Sequence, residues 1–447
     1  MSITILGIQT FCLKGLAVAT LLGLGLSGCG STPEPEAMAP PPIQSEVEAS
    51  PQPSEPLTAA IAPPDPTTEA LLEAYLNQLQ SQGWAANHQG TWIQSSQTLL
   101  GEHQGTLPLP AASLTKVATS LAALATYEPQ HRFTTQVNTT GPIEHGILQG
   151  DLVIEGGEDP FFVWESAMTL GQSLQEKGIR TVAGNLVIVG PFYMNYESDP
   201  QIAGDLLAQG LNHQTWSAAA EAQYQTLPPG SLRPQIQIEG AIFTSETLPT
   251  QAQPLARYDS LPLVELLKRM NRYSNNWMAD SLAETVGGAR AVAQIAAARA
   301  GVPAAEIQLV NGSGLSEQNR MSPRAACALM LALSQMLQQH DLSLADVLAV
   351  VGEDQGILSD RPLPRYAALK SGTLSTVSAL AGVLPTQTHG LVWMAILNDQ
   401  GDVDVYRARQ EQLLQIFLGR WGALSELPSP LRPRLPAPDI QPRISLQ

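Results

Sequence analysis

Lysine is scarce in this chain: five in 447 residues, within a net charge of −17. So acidic a surface repels phosphate backbones, so nucleic acid is not an expected partner. Cysteine is scarcer still. Of Cys12, Cys29 and Cys327, two lie in the first thirty residues, which leaves the body no internal disulfide framework. The seven histidines are scattered, with no two at a spacing that suggests metal ligation. Neither a metal nor an organic cofactor is expected. The N-terminal apolar run, Gly15 to Leu26, falls short of the ~20 residues a membrane span needs. No repeat of solenoid or propeller period is present. Cys327, within Ala325-Ala-Cys-Ala-Leu-Met330, reads as a small buried hydrophobe rather than a reactive thiol.

What the chain does have begins with an address. Lys14 precedes the apolar run, which closes on Leu26-Ser27-Gly28-Cys29. That end resembles a bacterial lipobox, implying that residues 1–28 are an export signal and that Cys29 carries acyl chains anchoring the protein to a membrane. Ser31 to Pro66 holds eleven prolines, six acidic residues and no basic ones. Such a segment buries too little apolar surface to offset its ordering entropy, so residues 29–66 read as a tether. This order places the body in a periplasm or on a cell surface.

The body, from residue 67, is long enough for two domains. Glu69 to Gln82 has helical apolar spacing, and Trp84 to Leu99 two strand-like stretches. An Ala/Leu-rich helix begins near Ser113. Between 131 and 255 the pattern changes: Thr134–Val137, Asp151–Ile154, Asn185–Val189 and Gln235–Ile242 read as strands, with one helix at Met168–Lys177. This marks a β-rich insertion, residues 131–255, within a catalytic body formed by 67–130 and 256–425. Helices are expected at Leu261–Met270, Ala291–Ala300 and Ser322–Gln338. Ala367–Val383 and Leu391–Asn398 read as an antiparallel strand pair, and Val405–Trp421 as a closing helix. Residues 426–447 read as an irregular Pro-rich tail.

Three short motifs carry chemistry. In Ser113-Leu-Thr-Lys116, residues three apart share a helix face, so hydroxyl and amine can meet. A serine hydroxyl is a weak nucleophile until a base takes its proton, and a lysine serves as base once burial or a neighbouring cation lowers its pKa. No other Ser-x-x-Lys occurs in the chain. In Ser274-Asn275-Asn276, a hydroxyl can relay a proton to a leaving amine, and a carboxamide can hold both a lysine and a substrate amide. In Lys370-Ser371-Gly372-Thr373, a cation suits a terminal carboxylate, and glycine lets a peptide backbone approach a strand. Taken singly, each motif is equally a capping serine, a polar loop or a strand bulge. In this order, with two of five lysines inside them, they are far more specific.

The set resembles that of penicillin-binding proteins and serine β-lactamases. Pro110–Lys116, Gly150–Pro160, Leu261-Pro-Leu263, Asn311–Ser316 through Arg320, and Lys370–Leu374 are similar to the D-alanyl-D-alanine carboxypeptidase/endopeptidase family, the low-molecular-mass class C penicillin-binding proteins. The resemblance implies an α/β (α+β) fold: a β-lactamase/transpeptidase-like domain, with an antiparallel sheet flanked by helices and a β-rich inserted module. The 161 residues separating Ser113 from Ser274 imply a shorter insertion than two full modules need. Asn275 replaces the commoner aspartate, Ser371 a threonine and Asn311 an aspartate.

The implied chemistry has Ser113 as nucleophile, Lys116 as base, Ser274 as proton relay, and Asn276 orienting Lys116 and a substrate amide. Lys370, Ser371 and Thr373 would steer the carboxylate, and the Ser113 and Thr373 amides would hold the oxyanion. The expected partners are peptidoglycan peptides and β-lactam antibiotics. A β-lactamase is the nearest rival, and a non-catalytic wall-binding lipoprotein a more distant one.

Overall fold

The computed structural model describes residues 64–95, 98–435 and 441–446. The export signal, the lipidation at Cys29 and nearly all of the expected tether lie outside the described residues. Asp65 caps the first helix, α1 (Pro66–Ser81), by accepting the Thr68 amide at 2.9 Å, with Pro66 in the first turn. Its buried stripe of Leu72, Tyr75 and Leu79 follows the 3.6-residue period.

The main body is built on a six-stranded antiparallel sheet. In spatial order it runs Ala349–Val350, β8 (Ala368–Thr373), β9 (Ser378–Thr386), β10 (Gly390–Asn398), β1 (Gln89–Ser95) and β2 (Thr98–His103). Both faces are covered. Ala379, Ala381 and Val383 of β9 point to one core, and Leu380 and Leu384 point to the other, as strand alternation requires. The first core is closed by α2 (Thr115–Thr126), α6 (Leu263–Tyr273), α7 (Asn276–Thr285), α8 (Gly288–Ala300) and α9 (Pro323–Gln338). The second is closed by α1 and α10 (Val403–Trp421). Cys327 lies in the first core, fully buried, and burial pushes its thiol pKa far up.

Residues between α2 and α6, with one strand from the C-terminal tail, form a second sheet with its own core. Its order is β6 (Ile242–Ser245), β5 (Leu186–Val189), β4 (Leu152–Glu155), β3 (Thr134–Thr139), β7 (Gln253–Asp259) and β11 (Arg443–Leu446). The β6–β5 and β5–β4 pairs are parallel and the rest antiparallel. Helices α3 (Trp164–Glu176) and α4 (Pro200–Leu211) bury Leu170, Leu174, Ala203 and Leu207 against Val137, Ile154, Leu186 and Ile188.

Four details differ from the sequence pattern. Ala367–Val383 is two strands, because the chain reverses at Leu374–Val377. The 235–242 stretch is a two-residue ladder at Gln237–Ile238 followed by β6. The insertion carries two further helices, α4, capped by Asp199, and α5 (Ala218–Tyr224), capped by Ser217. The tail also supplies strand β11, which pairs with β7 in the register Asp259↔Arg443 to Ala256↔Leu446.

Leu207 is fully buried in the core of the second sheet. Truncation to alanine removes its contacts and leaves a cavity, so Leu207→Ala should lower stability by about 2–5 kcal/mol. A denaturant midpoint equal to wild type would mean that this core does not contribute to the cooperative unit.

Candidate active site

Ser113 sits in a single 3-10 turn, Ala112–Leu114, that runs directly into α2. Ala112, just before it, has φ +46°, a left-handed conformation costly for a residue with a Cβ. Its neighbour explains how it is held. A methyl at Gly314 would fall 1.9 Å from the Ala112 carbonyl oxygen, so only glycine lets the 311–316 turn close over this backbone. That turn is organised by amides. The Asn311 Oδ1 accepts from the Gly314 N–H at 2.8 Å and from the Asn319 side-chain amide at 3.0 Å. The Asn319 carbonyl in turn accepts from the Ala111 N–H at 2.8 Å.

Lys116, one turn along α2, is fully buried. Its Nζ donates to Ser113 Oγ at 3.0 Å, to Asn276 Oδ1 at 2.7 Å and to the Ser313 carbonyl at 2.7 Å. An ammonium has three protons, and here all three have acceptors. Desolvation is the main cause that pulls its pKa down to about 7, opposed by the Asp280 carboxylate.

The second motif stands between helices. Ser274 caps the C-terminus of α6 at φ +53°, and Asn275 caps the N-terminus of α7 by accepting the Met278 N–H at 2.9 Å. The motif is therefore fixed by two caps, and Asn276 opens α7 with its carboxamide on Lys116. The third motif lies on β8. Lys370 Nζ donates to Ser274 Oγ at 2.9 Å and to the Ser371 carbonyl at 2.7 Å. Lys370 is as buried as Lys116. Desolvation and then the Lys116 charge hold its pKa well below the usual lysine value. β8 passes close to Ser113. A methyl at Gly372 would lie 2.8 Å from the Ala111 carbonyl oxygen and 2.9 Å from the Ser113 amide nitrogen.

Ser113, Lys116 and Asn276 are thus linked by hydrogen bonds into one set and Ser274 and Lys370 into another, the two lysine charges oppose each other, and Gly372 lies against Ser113. Ser371 is half-buried beside them. Thr373 sits at the exposed end of β8, where its Oγ1 accepts from the Arg407 guanidinium of α10 at 2.8 Å. Ser274 Oγ accepts from Lys370 rather than from Lys116, whose bonds go elsewhere.

Several neighbours were not singled out by motif. Asp280, four residues after Asn276, accepts the Ser313 N–H at 2.7 Å; its signal is the i,i+4 spacing on a helix opening at Asn276. Arg407 carries no local signature. Tyr193 and Tyr196, from the inserted module, meet the Trp277 ring of α7 at centroid distances of 5.0 and 6.0 Å. The module therefore touches the helix that carries the second motif.

Comparison with known proteins agrees with this geometry. The profile of the D-Ala-D-Ala carboxypeptidase 3 (S13) family matches residues 72–200 and 194–417. A D-alanyl-D-alanine carboxypeptidase of Haemophilus influenzae is 22% identical over 64% of this chain and 79% of its own length. A carboxypeptidase of Mycobacterium tuberculosis is 26% identical over 66% and 72%. In fold, the chain is similar to a predatory endopeptidase of Bdellovibrio bacteriovorus, solved acylated by penicillin G and in complex with an immunity protein. That similarity has a TM-score of 0.62 at 22% identity, over 76% of this chain and 96% of that one.

With only five lysines, the site can be titrated directly. Carbon-13 NMR of lysine-labelled protein should show one side chain with a midpoint near 7, absent in Lys116→Arg. Between pH 7 and about 10 the unfolded chain binds a proton at Lys116 that the folded chain lacks, so stability rises with pH across this window. A midpoint above 9 for Lys116 would contradict the desolvated environment.

Proposed function

The chain belongs to the D-Ala-D-Ala carboxypeptidase 3 (S13) family, and on that premise we propose that it is a serine carboxypeptidase, and endopeptidase where a cross-bridge is the leaving group, acting on peptidoglycan stem peptides. The observation that carries this reading is the Lys116 ammonium shared between Ser113, Asn276 and Ser313. Loss of one proton leaves Lys116 two donors and a lone pair. The two strongest acceptors keep their protons, and the lone pair turns to Ser113 Oγ–H. The same geometry then serves a base.

In the proposed reaction, a peptide ending in D-Ala-D-Ala lies along β8. Ser113 Oγ attacks the penultimate carbonyl as its proton passes to Lys116. The oxyanion is received by the Ser113 and Thr373 amides, whose approach Gly372 permits; one such donor is worth about 3 kcal/mol in the transition state. Ser274 Oγ–H protonates the departing D-alanine nitrogen as the C–N bond breaks, and Lys370, hydrogen-bonded to Ser274, restores that proton. Lys370 and the Ser371 and Thr373 hydroxyls steer the terminal carboxylate, with Arg407 adding a second cation at that end. Asn276 holds Lys116 and a substrate amide. Water then attacks the acyl carbon, giving a proton through Ser274 to Lys370, while Lys116 returns its proton to Ser113 Oγ as the ester C–O bond breaks, which restores both lysines and frees the serine.

β-Lactams, whose strained amide resembles the D-Ala-D-Ala bond, should acylate the same serine. Export and lipid anchoring through Cys29 would place the enzyme beside its substrate; the support is the Leu26–Cys29 sequence and the Pro-rich stretch after it.

Full-length protein in detergent, incubated with benzylpenicillin, should gain one penicilloyl mass on the Ser113 peptide, persisting for minutes. Ser113→Ala should gain none. Fast drug turnover without an adduct would instead make the chain a β-lactamase, and a folded sample with neither would make it a scaffold. Gly372→Ala, which presses a methyl on the Ser113 amide, should slow acylation at least 100-fold with a near wild-type melting temperature; an unchanged rate would show that β8 does not form the oxyanion site.

A further inference from the structure

Asn276 and Asp280 are four residues apart on α7, and so share one face. Both act on the lysine of the first motif, by different routes. Asn276 touches it directly at 2.7 Å. Asp280 Oδ1 instead accepts the Ser313 N–H at 2.7 Å, and the carbonyl of that same residue accepts from Lys116 Nζ at 2.7 Å. The 312–314 backbone is pressed onto α7 from the other side. A methyl at Gly312 would stand 2.4 Å from both the Ala279 carbonyl oxygen and the Ala283 Cβ. Gly312 also gives its carbonyl to Thr119 Oγ1 of α2 at 2.7 Å. The turn is thus clamped between α7 and α2, and the charged part of the clamp is Asp280.

We propose that Asp280 is a positioning residue for acylation: it seats the Ser313 carbonyl that grips Lys116, and supplies the negative charge that offsets the buried amine. This deepens the proposed function and rests on Lys116 being the base.

The charged groups facing Lys116 are few. From α7 comes Asp280, and from β8 comes Lys370, whose ammonium opposes that of Lys116. Helix α6 offers the Asn271 amide, bonded to Ser120 at 2.9 Å, and α8 turns Val292, Ala296 and Ala297 inward. Asp280 is therefore the counter-charge of the buried Lys116. It favours the ammonium form of Lys116, so its presence sets how high the pH must rise before the lone pair is free. Removing the charge while keeping the acceptor separates the two parts of the role, since an asparagine Oδ1 still receives the Ser313 N–H.

The test is the second-order rate of acylation of the full-length chain by a fluorescent penicillin, measured from pH 5 to 9. Wild type should show an acid limb with a midpoint near 7. Asp280→Asn should move that limb to lower pH by about one unit. Asp280→Ala should move it likewise and leave a plateau at least tenfold below that of Asp280→Asn, because the Ser313 carbonyl loses its seat. Thermal melts identify any variant that fails to fold, and the isosteric Asp280→Asn carries the decision if Asp280→Ala does. A limb that stays in place in Asp280→Asn, or moves to higher pH, overturns the proposal. A wild type with no adduct at Ser113 or no acid limb overturns instead the assignment of Lys116 as base.

Discussion

Everything at this site depends on how one buried ammonium is satisfied. Lys116 is fully buried, and burying an unpaired charge is prohibitive. Its three protons are matched by Ser113, Asn276 and Ser313, residues from three parts of the chain far apart in sequence. Each acceptor has its own support. Ser113 stands in a 3-10 turn behind a left-handed Ala112, Asn276 opens a helix capped by Asn275, and Ser313 lies in a glycine turn clamped to α7. The fold around the site is the set of elements that keeps those three acceptors within reach.

The second lysine imposes a related constraint. Lys370 is just as buried, and its neighbours are the Ser274 hydroxyl and the Ser371 carbonyl. Two cations so close lower each other's affinity for a proton. That is unfavourable for the resting fold and useful for the proposed reaction, in which one amine is free and the other meets a carboxylate. Left-handed φ values at Ala112 and Ser274 add local cost at the same place, as is common where geometry is fixed for chemistry. The apolar sheet on which β8 lies, buried on both faces, is what holds these groups in place.

The motif residues were legible in the sequence because their chemistry is local: serine and lysine one helical turn apart, and a cation two places before a glycine. The helices of the catalytic body were legible from apolar spacing. What failed did so for identifiable reasons. The reversal at Leu374–Val377 contains no glycine, proline or asparagine, so nothing marks the break between β8 and β9. Helix α7 is hidden where Ser274–Asn276 reads as a polar loop, although Asn275 followed by an Ala/Leu-bearing stretch is a capping signal. With α7 unassigned, the relation of Asp280 to Asn276 could not be drawn. Helix α4 had its own signal in Asp199-Pro200. Arg407 and the Tyr193–Tyr196 contact with Trp277 are long-range, and no local pattern encodes them.

One feature of the central sheet bears on how the protein comes to be folded at all. β1 pairs along its whole length with β10, Gln89 opposite Asn398 and Ser95 opposite Val392, while all of the second sheet except its edge strand β11 is threaded between them. Closing so long a loop is entropically slow, and sheets made of distant segments fold late. Until β10 arrives, the β1–β2 hairpin carries an open edge of unpaired amides and carbonyls, the kind of surface that recruits other chains. The newly made chain therefore passes through a stage in which the insertion can already collapse on itself while the catalytic sheet is incomplete. Its yield is set by the competition between that long-range pairing and aggregation.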